Sequence, residues 1–434
     1  MNLHALLARR HGAGNPVRVG LIGAGKFGSM FLAQVPTMAG LEIVAIADLD
    51  PERARTACHT VGWDETRLRQ TRFYDSGSRL ISEMTPEVVI EATGHPAAGI
   101  THALGAIAAG CHVVMVNVEA DVLAGAALAQ KAREAGVVYS MAYGDQPALV
   151  CEMVDWARAA GFTVTAAGKG TKYLPAFHAS TPETVWQHYG LTPDEAQAAG
   201  MNPQMFNSFL DGTKSAIEMA AIANGTGLTA PDDGLLFPPC GVDDLPHILR
   251  ASNNGGCLPA DGMVEVVSSL ERDGRSVFRD LRWGVYVVIK ASNPYTSACF
   301  RQYGLKTDAS GLYAAMYKPY HLIGLELGIS VLSAALRHEP TGATRFYAGD
   351  CVAVAKRPLA VGEALDGEGG FTVWGKCITA RRSTALQALP IGLAHGIHLK
   401  RPVPAGAIIS ETDVELDESR LDVRTRRLHT ALIA

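Results

Sequence analysis

Apolar and polar positions in the first third of the chain alternate between two periods. Residues 17–35, "VRVGLIGAGKFGSMFLAQV", open with strand-like spacing, cross a glycine loop and continue with helical spacing. The segment before them, 1–14, reads as a short amphipathic helix. The rhythm then repeats: strand at "LEIVAIAD" (41–48), helix at 52–62, strand and turn at "PEVVIEATG" (86–94), helix at 97–110, strand at "CHVVMVN" (111–117), helix at 120–136 and strand at "VVYSMAYGD" (137–145). Strands alternating with helices in this way predict a doubly wound parallel sheet of the Rossmann type.

From residue 146 the pattern changes. An amphipathic helix over 146–161 precedes the apolar run "FTVTAA" (162–167) and the turn-like "GKGTKYLP" (168–175). "NPQMFNSFLDGTKSAIEMAAIANGTG" (202–227) reads as mostly helix, 263–275 and 283–293 as long strands of a mostly antiparallel sheet, and 317–338 as one long helix returning towards the first domain. Beyond 340, the segments 349–365 and 399–417 share a layout of basic-Pro start, apolar pair, glycine and strand-like end, which predicts a compact β module. The expectation is an α/β protein with an N-terminal Rossmann domain (1–145), a central α+β substrate domain (146–338) and a small β-rich C-terminal domain (339–434).

Composition narrows the function. A chain of 434 residues exceeds one ordinary core. The formal net charge of −5, with no Lys/Arg run, argues against nucleic acid as partner. No apolar stretch reaches about 18 residues, so no membrane span is expected. The N-terminus is too weakly apolar for a secretory signal. Eight scattered cysteines without a C-x-x-C pair argue against a disulfide framework and fit a reducing cytoplasm.

The glycine loop carries the clearest chemistry. Gly23 allows a tight turn, Gly25 lets the backbone approach a pyrophosphate, and Gly28 permits close helix–strand packing. Lys26 and Phe27 belong to the same expected cofactor set, and Asp48, twenty residues past Gly28, is placed to accept ribose hydroxyls. A carboxylate there favours NAD over NADP, unless Arg53 and Arg55 turn inward to offset it. Thr93, Gly94, Asn117 and Glu119 fall at strand ends and are expected to face the nicotinamide half. In the second region Asn207, Asp211, Lys214 and Glu218 would share one helix face, either as a solvated salt-bridge stripe or as part of an active site. His321 has a structural reading as readily as a catalytic one.

Taken together, the glycine loop, "EATGHP", "VNVEAD", "AYGDQPAL", "AAGKGTKYLP", "NPQMFNSFLDGTKSAIEMA", "KPYHLIGLE" and "RPVPAGAIISETDVE" resemble the homoserine-dehydrogenase-like oxidoreductases that carry a C-terminal SAF domain. Within that group the chain is similar to the 1-deoxy-D-xylulose-5-phosphate reductoisomerase-like branch. True homoserine dehydrogenases have a lysine close after the asparagine that ends this strand, as in T-A-N-K. Here Glu119 stands in that place, which the reductoisomerase-like branch shares. The resemblance implies NAD or NADP as cofactor, a homo-oligomer, and reduction with rearrangement of 1-deoxyxylulose 5-phosphate.

Hydride transfer to a carbonyl needs an acid or cation beside the oxygen, and an anionic substrate needs cations at its other end. Lys169 and Lys172 are candidates for both, with Lys214 at the carbonyl and with Asp211 and Glu218 orienting hydroxyls or lysines. A rearrangement would gain from Mg or Mn, for which Glu119, Asp145, Asp211 and Glu218 are candidate ligands. Two other readings stand beside this one: a homoserine-like or sugar-acid dehydrogenase without rearrangement, and a cofactor-binding sensor without turnover.

Overall fold

A computed structural model describes residues 2–432. The chain divides into two compact units, one formed by residues 1–152, 321–345 and 419–434, the other by 153–320 and 346–418.

The first unit holds a six-stranded parallel sheet. Its strands are β1 (Val17–Ile22), β2 (Leu41–Ala47), β3 (Arg72–Tyr74), β4 (Val88–Glu91), β5 (His112–Met115) and β6 (Tyr139–Met141), in the order β3-β2-β1-β4-β5-β6. That order is the doubly wound arrangement, whose direction of winding reverses between β1 and β4. Its helices are α1 (Leu3–Gly12), α2 (Lys26–Gln34), α3 (Pro51–Thr60), α4 (Glu65–Gln70), α5 (Gly77–Met84), α6 (Pro96–Ala108) and α7 (Val118–Glu134), with α8 (Gln146–Ala159) following β6. Burial explains the continuous apolar runs: every residue of β4 and β5 is buried, as parallel strands covered on both faces require. Phe31, Leu21, Ile46 and Ile90 sit at its core. The sequence reading passes over α4, β3 and α5, each of eight residues or fewer.

The expected long helix over 317–338 is not one helix. Tyr313–Lys318 is a strand, and helix resumes only at Gly328–Arg337. Pro319 and Gly324 (φ +72°) separate the two, and only the second part is helical. This helix packs Val331, Leu332 and Ala335 into the core of the first unit. His321 lies in the irregular segment between.

The second unit centres on a mixed four-stranded sheet, with β7 (Thr163–Thr171), β8 (Met263–Ser268), β9 (Val285–Lys290) and β10 (Tyr313–Lys318) in the order β10-β9-β7-β8. Strand β7 runs parallel to β8 and antiparallel to β9. The strand expected over 263–275 stops at Ser268. Helices α9 (Val185–Tyr189), α10 (Pro193–Ala198), α11 (Pro203–Leu210) and α12 (Thr213–Thr226) follow β7 in sequence. The unit also holds β11 (Gly349–Ala355), β12 (Ala364–Asp366), β13 (Val373–Thr379) and β14 (His395–His398), paired as β11-β13 and β12-β14. The two look-alike segments of the C-terminal module pair with each other: the Leu359 N–H donates to the Val403 carbonyl at 2.9 Å, and the Val403 N–H donates back at 3.0 Å.

Two further expectations are corrected here. The stretch 168–171 is not a turn, because β7 runs on through Thr171. The helix over 202–227 is broken at Asp211–Gly212, where Gly212 takes φ +91°, so Asn207 and Asp211 do not continue the face that carries Lys214 and Glu218.

Candidate functional site

In the first unit the glycine loop is built for close backbone approach. Gly23 has φ +97°, and a Cβ there would lie 2.5 Å from the Ala92 carbonyl oxygen. A Cβ on Gly28 would meet the Gly23 oxygen at 2.5 Å, whereas one on Gly25 would meet nothing within 4 Å. The space over Gly25, at the N-terminus of α2, is therefore open in front of helix N–H groups that suit a pyrophosphate. The loop thus fits a dinucleotide. Lys26 is exposed at the first turn of α2, and Phe27 is half-buried against the core.

Asp48 ends β2 buried. Its Oδ2 accepts from the Ala24 N–H at 3.0 Å; its Oδ1 accepts from the Asp50 N–H at 3.1 Å and from Arg53 Nη2 at 2.6 Å. The carboxylate therefore pins the glycine loop and is itself neutralised by a guanidinium that is 65% exposed. Arg53 does turn inward; Arg55 instead lies over the Phe73 ring at 4.3 Å.

At the strand ends, Asn117 caps α7. Its Oδ1 accepts from the Ala120 N–H and its Nδ2 donates to the His95 carbonyl, both at 3.0 Å. Thr93 Oγ1 donates to Glu91 Oε1 at 2.6 Å. Glu91, buried at the end of β4 and 3.2 Å from His102 Nδ1, is a residue that sequence reasoning missed. Its only signal is a carboxylate closing an otherwise apolar strand. Gly94 has φ +70° with open space where a Cβ would be, and Glu119 sits half-buried in the first turn of α7.

In the second unit the two lysines part company. Lys169 is buried in β7 and its Nζ pairs with Glu218 of α12. The flanking glycines serve packing: a Cβ on Gly168 would lie 1.8 Å from the Glu265 oxygen, and one on Gly170 would lie 1.9 Å from the Leu281 oxygen. Lys214 precedes Glu218 by one helical turn, so both occupy one side of α12.

Lys172 follows the strand. Its Nζ donates to the His188 carbonyl and stands 5.5 Å from the centre of the Tyr189 ring. Arg282, which sequence reasoning missed, lies 6.0 Å from the same ring and 4.7 Å from that of Trp283. Among the described residues neither cation has a carboxylate partner. Burial and the like charge of Arg282 push the Lys172 ammonium below its ordinary pKa. Two uncompensated cations around one aromatic ring suit an anion.

Asp211 belongs elsewhere. Buried at the α11–α12 break, its Oδ1 accepts from the Thr213 N–H at 2.9 Å and its Oδ2 pairs with Lys356 Nζ at 2.8 Å. Lys356 also donates to the Ser180 and Gly370 carbonyls at 2.6 and 2.7 Å. Burial raises the Asp211 carboxyl, and Lys356 opposes that shift. Asn207 likewise serves the framework, donating to the Ser180 and Gly369 carbonyls. The structure thus pairs Lys169 with Glu218, one helical turn from Lys214, and gives Lys172 and Asp211 other partners.

Among the described residues, no group of three His, Cys, Asp or Glu side chains is placed to hold a metal ion, and no helix is long and apolar enough to cross a membrane. None of the eight cysteines is in a disulfide.

Two family models match parts of the chain. Residues 23–141 match the homoserine dehydrogenase NAD-binding domain, and residues 144–327 match the catalytic domain of oxidoreductase DRL. No curated protein matches the chain in sequence. Among solved structures, a probable dehydrogenase from Thermotoga maritima is 13% identical over 74% of this chain and 90% of its own, with a TM-score of 0.39. Dihydrodipicolinate reductase from Paenisporosarcina sp. is 11% identical over 74% and 95%, with a TM-score of 0.35. Myo-inositol dehydrogenase from Lactobacillus casei is 18% identical over 40% of this chain, with a TM-score of 0.29, and the match spans 50% of that protein's length.

Proposed function

We propose that this NAD(P)-dependent oxidoreductase reduces a small anionic carbonyl compound, and that its reaction is the reductoisomerase type, 1-deoxy-D-xylulose 5-phosphate to 2-C-methyl-D-erythritol 4-phosphate. The observation that carries this reading is the match to the DRL catalytic domain over 144–327, the stretch that contains Lys169, Lys172, Lys214, Glu218 and Arg282. The bound nicotinamide would supply the hydride. The open backbone over Gly25 would seat the pyrophosphate, and Asp48 with Arg53 would meet the adenosine ribose. Lys169 or Lys214 would meet the carbonyl oxygen, where negative charge develops on reduction. Glu218 holds Lys169 in place and, one turn from Lys214, balances both cations. Lys172 and Arg282 would bind the anionic end of the substrate.

The rearrangement makes Mg or Mn a variable to test. The 339–434 segment is read as an SAF-like domain, and the protein as a cytoplasmic homo-oligomer, on the resemblance of its sequence. A second reading, a dehydrogenase without rearrangement, has the match of residues 23–141 to the homoserine dehydrogenase NAD-binding domain in its favour.

The test is NADPH and NADH oxidation with 1-deoxyxylulose 5-phosphate, with and without magnesium or manganese, and identification of the product. A branched polyol phosphate supports the reductoisomerase reading. Cofactor binding without turnover sinks it and moves the search to hydroxy acids.

A further inference from the structure

A small cavity lies wholly inside the second unit. It is about 180 Å³ and is walled by His178, Gly212, Asp233, Phe237, Trp374 and Lys376, among others. Lys169, Lys172 and Glu218 are not among its walls. Its volume is that of about six water molecules, below the range of pockets for drug-sized ligands, so any occupant has few heavy atoms.

One wall is aromatic and uncharged. The His178 ring stacks on Trp374 at 3.8 Å and 22°. Its Nδ1 lies 2.7 Å from the Asp211 carbonyl, which only accepts, so Nδ1 carries the proton. Nε2 is then the acceptor for the Tyr173 hydroxyl, 3.0 Å away. Burial keeps this imidazole neutral, with Lys356 and Lys376 adding to that effect against the pull of the Asp211 hydrogen bond.

The other side carries charge. Lys376 is half-buried on β13, and its ammonium makes no hydrogen bond or ion pair among the described residues. Burial pushes it below its ordinary pKa, although Asp233 pulls the other way. Asp233 is itself paired with Arg382. A Cβ on Gly234 would lie 2.6 Å from Lys376 Cε, which means that the glycine leaves the lysine stem its place along the wall. Asp233 lines the same cavity but is shared with Arg382, so a half-buried ammonium with no direct ion pair of its own, facing a neutral aromatic wall, is costly unless an anion completes it.

We propose that this cavity is a binding site for a small carboxylate monoanion, held by Lys376 against the Trp374–His178 wall. One ammonium matches one negative charge, and the neutral His178 supplies no second cation for a dianion such as phosphate. The site touches the first turn of α12 through Gly212 and Ala216, the helix that also carries Lys214 and Glu218. It does not depend on the reaction proposed above.

The experiment is tryptophan fluorescence of the full chain, titrated at constant ionic strength with acetate, benzoate and inorganic phosphate. Trp374→Phe identifies the signal among the five tryptophans. Saturable quenching by a carboxylate is expected below about 10 mM, absent in Trp374→Phe, weakened about tenfold or more in Lys376→Gln and retained in Lys376→Arg. NADH affinity should be the same in all four proteins. Absence of Trp374-dependent quenching, equal affinity in Lys376→Gln, or preference for phosphate over both carboxylates would each overturn the proposal. Should Lys376→Gln fail to fold, the wild-type and Trp374→Phe titrations decide alone.

Discussion

Lys169 and Glu218 form an ion pair whose side chains are 8% and 3% exposed. Such a pair has an asymmetric energetics. Together the charges offset much of their desolvation; when either is removed, the other stays buried with this close partner gone. Lys169→Met should therefore destabilise the second unit by about 3–5 kcal/mol, and Glu218→Gln by a similar amount. The double variant, with both charges gone, should recover most of that loss, giving a coupling energy of several kcal/mol against the ~0–1 kcal/mol typical of exposed pairs. Urea unfolding followed by circular dichroism measures all four proteins. Turnover should behave differently. If Lys169 meets the developing alkoxide, both Lys169→Met and the double variant should lose about 100-fold or more in kcat. Stability recovered without activity would separate the two roles. A single-variant cost under about 1 kcal/mol would refute the burial argument. Activity recovered along with stability would remove Lys169 from the chemistry.

Other expectations follow from the same geometry. Arg53→Ala leaves Asp48 unneutralised beside the ribose site, so KM for NADPH should rise about tenfold or more while KM for NADH changes little; equal changes would show that Arg53 does not face the 2′ position. Arg282→Ala removes a like charge from beside Lys172, so the Lys172 pKa should rise towards its ordinary value and KM for an anionic substrate should rise while kcat holds. Glu265, buried with its carboxylate accepting from the Leu236, Phe237 and Val266 N–H groups, is pushed by burial up to about 7. The folded protein then holds this proton more tightly than the unfolded chain. Stability from this source is full below the ordinary glutamate pKa and is lost as pH rises to about 7, by about 3 kcal/mol in all. Glu265→Gln should flatten that slope in urea unfolding at pH 5 and pH 8.

The first unit was legible because its signals are local. Each glycine of the loop acts within its own strand–turn–helix, and the alternating periods of strands and helices read directly from spacing. The second unit was harder because its decisive contacts are distant in sequence. The glycines around Lys169 suggest a turn until the Glu265 and Leu281 carbonyls are seen pressed against them. Asp211 matches a catalytic face in a helical projection, yet Gly212 breaks the helix and Lys356, far along the chain, claims the carboxylate. Arg282 gave no signal beyond its charge, since only folding brings it to the Tyr189 ring beside Lys172.

The interleaving of the two units in sequence has a bearing on synthesis. Asp211 leaves the ribosome well over a hundred residues before Lys356 does. At about 5–20 residues per second that is roughly 7–30 s. During that interval the carboxylate at the α11–α12 break has no ammonium to pair with and has reason to stay in water. Leu359 waits in the same way for Val403. The unit that holds the lysines therefore closes only after its distant partners at Lys356 and Val403 have been made, and nascent chains truncated before residue 356 should expose the α11–α12 junction to chaperones and proteases.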